Sequence, residues 1–82
     1  MMITDASTAA QFAAAWKNKG GEVIYLTIAI EGLEAARGIS ESYHQTNDIL
    51  NYSEAIGVLR SARLNARIRR GEMNGTASDQ IK

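Results

Sequence analysis

Residues 22–45 read "EVIYLTIAIEGLEAARGISESYHQ", and whether they form a strand or a helix decides the fold. The opening stretch, 22–30, is rich in β-branched side chains. As a strand it would set Ile24, Leu26, Ile28 and Ile30 on one face, with Val23, Tyr25, Thr27 and Ala29 on the other. The polar residues from Thr27 onward overrule that assignment. Thr27, Glu31, Glu34, Gly38, Glu41 and Gln45 recur at steps of four, three, four, three and four. A helix gathers all six into one narrow polar stripe and leaves a mostly apolar circumference, whereas a strand accounts only for the opening stretch. The spacing predicts one long helix over 22–45, with an apolar arc too wide for a single neighbour to cover.

The segments on either side agree. Upstream, "TDASTAAQFAAAWKNKGG" offers Thr4, Asp5 or Ser7 as a cap and alanines of the highest helix propensity, with Gly20 and Gly21 as its stop. Ala9, Phe12, Ala13 and Trp16 share one side of that helix, predicted over about 5–18. Downstream, Thr46, Asn47 and Asp48 are turn and cap residues before a third helix over about 48–70, which Gly71 ends. With no proline in the chain, glycines and caps supply all the punctuation. Two helices of similar length joined by a very short connection predict an antiparallel hairpin. The expected fold is therefore all-α: a short helix followed by a helical hairpin, one domain over 1–71, with 72–82 as a polar tail.

On the third helix, Ala55, Val58, Leu59, Ala62 and Ala66 form a seam expected to pack on the second helix. Leu50, Gly57, Leu64 and Ile68 form a second apolar face. One short leading helix is too small to cover both this face and the second helix's wide arc. The expected remedy is a homodimer in which two hairpins pair into a four-helix bundle with the leading helices outside. Gly32, Ala35, Ala36 and Gly57 would allow close backbone approach. Phe12, Trp16, Tyr25 and Tyr43 are expected in the core, and Tyr52 on the open side.

Composition narrows the chemistry. The chain has 82 residues, 45% of them hydrophobic, with nine basic and nine acidic side chains and no cysteine. That is a globular composition near the lower size limit of an unstapled domain, with neither disulfides nor thiolate metal sites. The longest apolar run, "VIYLTIAI" at 23–30, is too short to span a bilayer, and Lys17 and Lys19 precede two glycines rather than a signal core. A cytoplasmic protein without membrane contact is expected. Phosphate loops, dinucleotide-binding glycine patterns, nucleophile elbows and zinc spacings are missing from the sequence. A triad would have to be built on His44, near Ser40, Ser42 and Ser53, with no supporting motif. No catalysis and no cofactor are expected.

Neutrality hides an asymmetry. Residues 1–54 carry net −4, residues 55–71 carry +5, and 72–82 carry −1. "RSARLNARIRRG" at 60–71 holds five arginines and no acid. Arg60, Arg63, Arg67 and Arg70 keep helical spacing along one edge, continuing the line of Ile49, Tyr52 and Ile56, while Arg69 points elsewhere. Arginine's planar fork suits carboxylate or phosphate. The edge has three possible uses. It could pair internally with Glu22, Glu31 or Glu34, because a hairpin brings the end of the third helix beside the start of the second. As a binding edge, Tyr52, Ile56, Arg60, Arg63, Arg67 and Arg70 would meet an acidic protein surface, and the protein would act as an inhibitor, adaptor or regulator. Nucleic acid is the alternative partner, against which stand the acidic remainder of the chain and a poor fit to helix-turn-helix and ribbon-helix-helix patterns. A remoter alternative is metal: Glu41 and His44 have the Glu-x-x-His spacing of di-iron bundles, and Glu34 could add a carboxylate. Both acids, however, lie on the stripe assigned to solvent.

Overall fold

The computed structural model describes residues 2–71. It contains three helices, α1 (Ala6–Trp16), α2 (Glu22–Ser42) and α3 (Thr46–Arg69). The polar tail expected over 72–82 lies outside the described residues.

Asp5 starts α1. Its carboxylate accepts the Thr8 backbone N–H at 2.9 Å, while the Thr8 hydroxyl oxygen accepts the Asp5 N–H at 3.1 Å. This reciprocal box satisfies two donors that a helix N-terminus otherwise leaves open. The helix stops at Trp16, short of the lysines. The reversal after it needs two left-handed residues, Asn18 at φ 64° and Gly21 at φ 82°. Only glycine adopts that conformation without steric cost. Gly21 serves as the N-cap of α2 with no side-chain bond, and Glu22 in the first turn complements the helix dipole.

Segment 22–30 is helical, so the polar stripe and not the β-branched run decides its structure. Thr27 reconciles the two by returning its hydroxyl to the Val23 carbonyl at 2.8 Å. The helix ends at Ser42 rather than at residue 45, because His44 takes a positive φ of 57° and Gln45 donates back to the Ser40 carbonyl at 2.9 Å. Helix α3 begins at Thr46 without a side-chain cap, so Thr46, Asn47 and Asp48 do not act as one. Its end is closed by Gly71 at φ 77°, whose N–H reaches Ile68 at 3.0 Å.

Helices α2 and α3 form the antiparallel hairpin, and α1 lies mainly on α3 with little contact to α2. Leu26, Ile30 and Leu33 from α2 meet Ala55, Ile56 and Leu59 from α3, with Ala9 from α1 closing the cluster. Fully burying Leu26, Ile56 and Leu59 contributes about 1.5–3 kcal/mol for each side chain. Phe12, Ala13, Val58 and Ala62 pack around this core half-buried. At the α1–α2 joint the rings of Trp16 and Tyr25 stack, with centroids 4.1 Å apart and planes 20° from parallel. Tyr25 is nevertheless 44% exposed and Tyr43 is exposed beyond the end of α2, which corrects the expectation that both are core anchors. Tyr52 is half-buried against the core instead of standing on the open side. Among the described residues no helix is long and apolar enough to cross a membrane.

Candidate interaction site

Arg60, Arg63 and Arg69 of α3 are each bonded to a side chain of α2. Arg60 forms an ion pair with Glu34. Arg63 donates to the Thr27 hydroxyl at 3.1 Å, so two members of the α2 polar stripe face the arginines of α3 rather than open water. Arg69 is the most firmly anchored. It bonds both carboxylate oxygens of Glu22 at 3.2 and 2.8 Å and the Asn18 side-chain oxygen at 2.6 Å.

Glu22 is only 3% exposed and also accepts the Asn18 backbone N–H at 3.1 Å. Hydrogen bonding from Arg69 holds its carboxyl below the usual value against the opposing effect of burial, and the Asn18 N–H and the charges of Arg69 and Arg70 add to the lowering. The same pairing raises Arg69. Periodicity set Arg69 apart from the stripe. The available signal was topological: the end of the third helix had to lie beside the start of the second, where Glu22 stands.

The expected binding edge is thus divided. Ile56 is 2% exposed and belongs to the core. Tyr52 lines an apolar cleft of about 530 Å³ between α1 and α2, together with Phe12, Tyr25 and Ala29. Arg63 and Arg67 are half-buried, whereas the Arg60 side chain remains 55% exposed even in its ion pair. Arg70 lies at the end of α3. What the molecule presents outward is different. On α3, Leu50, Leu64 and Ile68 are exposed, matching the second apolar face of that helix. On α2 and at its C-cap, Ile24, Ile28, Ile39 and Tyr43 are 56–72% exposed. This second surface is the open part of the wide apolar arc.

The Glu-x-x-His spacing does not survive as a helical face. Glu41 is inside α2 but His44 is past its end in a left-handed turn, both exposed, and Glu34 is engaged by Arg60. Among the described residues no group of three His, Cys, Asp or Glu side chains could hold a metal ion. Of the serines near His44, Ser40 is buried, Ser42 donates to the Gly38 carbonyl at 3.2 Å, and Ser53 receives Arg37 at 3.4 Å. Compared with known proteins, the chain matches no family model, no curated protein and no solved structure.

Proposed function

We propose that this is a non-catalytic protein-binding module, an adaptor, inhibitor or regulator, that engages an acidic segment of another protein through the outward strip of α3. The observation that carries the reading is the placement of Leu64. It is exposed, with Arg60 one turn before it, Arg67 one turn after it and the exposed Ile68 beside it. Aliphatic side chains bordered by arginines suit an amphipathic partner whose acidic rim meets the guanidinium groups. The binding group is therefore Leu64, Ile68, Arg60 and Arg67, in place of the edge running through Tyr52, Ile56 and Arg63. Arg60 keeps water access while bound to Glu34, so it can take a second carboxylate without breaking the fold.

The test is photo-crosslinking in cell extract from a benzophenone amino acid placed at Leu64, with adducts identified by mass spectrometry. A protein adduct that disappears in an Arg60→Glu/Arg67→Glu background, and weakens about tenfold as salt is raised, is the expected outcome. Recovery of nucleic acid instead would transfer the reading to a polyanion partner. No adduct at Leu64 from the folded protein would reject the strip altogether.

A further inference from the structure

The exposed face of α2 has a regularity of its own, separate from the strip on α3. Tyr25, Ile28, Gly32, Ala35, Ile39 and Ser42 recur at steps of three, four, three, four and three, the spacing of a seam between two packed helices. The order is also symmetric about the point midway between Gly32 and Ala35. Outward from that point, small meets small at Gly32 and Ala35, and isoleucine meets isoleucine at Ile28 and Ile39. Tyr25 then meets Ser42, and just outside the seam Ile24 meets Tyr43. A two-fold contact requires this reciprocity, because residue i of one copy must meet residue j of the other and j must meet i.

We propose that the α2 face is occupied by a second copy of this chain, with the two α2 helices antiparallel and crossing at Gly32 and Ala35. Three observations support a second copy over other occupants. The large apolar members of the face, Ile24, Ile28, Ile39 and Tyr43, are all exposed in the single chain. A Cβ added at Gly32 meets nothing within 4 Å, so among the described residues nothing fills the crossing point, and a glycine there lets another backbone come close. The ends of the molecule are electrically opposed. Lys17, Lys19, Arg69 and Arg70 gather around Glu22 where α2 starts and α3 ends, while Glu41 and Asp48 mark the hairpin tip. Antiparallel pairing sets each acidic tip beside the partner's basic end. A parallel pair would set basic end against basic end, which Coulomb repulsion opposes. This dimer differs from a bundle of two whole hairpins, since α2 alone makes the contact and the α3 strip stays free. Its failure would leave the α3 reading untouched.

The chain contains no cysteine, so single cysteines report the contact without background. Ala35→Cys is next to the two-fold axis and is expected to crosslink with itself under a short bismaleimide. Tyr43→Cys alone is expected not to crosslink, and an equimolar mixture of Ile24→Cys and Tyr43→Cys is expected to give the mixed dimer. Light scattering of the parent should show a dimer at micromolar concentration. Ile28→Glu/Ile39→Glu should weaken it about a hundredfold while helicity is retained, because both side chains are exposed in the single chain. Self-crosslinking at Tyr43→Cys with no mixed product would overturn the antiparallel register. A parent that remains monomeric, or a double variant that remains as dimeric as the parent, would overturn the interface.

Discussion

Glu22 has its carboxylate closed off from water and three donors on it, the Asn18 N–H and two from the Arg69 guanidinium. That arrangement ties together the 17–21 turn, the start of α2 and the end of α3, so one side chain joins three parts of the chain. Because its pKa is lowered from an ordinary 4.5, the folded state favours the ionised form. The stability this contributes is complete above the ordinary value and is lost as pH falls from there through the folded pKa. Glu22→Gln is expected to lower the thermal midpoint by about 5 °C at neutral pH. The gap between parent and variant should close as the pH is taken well below 4.5. A gap independent of pH across that range would show that the charge contributes nothing and only the shape of the side chain matters.

At the scale of elements, the joints are more demanding than the helices. Gly21 combines φ 82° with a Tyr25 ring carbon 3.1 Å from where a Cβ would stand. Gly21→Ala should therefore destabilise by about 1–2 kcal/mol in urea titration. Gly20→Ala, whose added carbon meets nothing within 4 Å, should change stability by much less. Equal effects at the two positions would show that the left-handed cap does not limit stability. The three helices and the hairpin were legible because each leaves a periodic trace, the stripe from Thr27 onward above all. Periodicity reports a face and not the neighbour of that face. The stripe read as solvent-facing therefore includes Thr27 and Glu34, which in the folded chain meet Arg63 and Arg60. Tyr43 could not be placed either, because it continues the exposed face of Ile39 at the C-cap of α2, and periodicity does not tell which apolar face stays uncovered. Ile56 lies in line with the arginines on a helical projection, but α1 and α2 enclose that sector near the middle of α3, leaving the arginines toward its end.

Over its described residues the molecule is a flat rod, 49 × 22 × 15 Å along its principal axes. A rod buries little for its length, which is why large aliphatic side chains remain outside on both α2 and α3 while, among the described residues, the central cluster is built from seven. The leading helix shields part of one side of the hairpin and leaves the tip, with Ile39, Tyr43 and Leu50, uncovered. The stacked pair at the α1–α2 joint gives the chain a built-in optical reporter. Trp16 is the sole tryptophan, and its ring lies against Tyr25, so its emission reads the docking of α1. Far-ultraviolet ellipticity, by contrast, is dominated by the two long helices. In urea the two signals should trace one curve if α1 and the hairpin fold as a single cooperative unit. Emission that changes at lower denaturant than ellipticity would reveal a leading helix that lets go first.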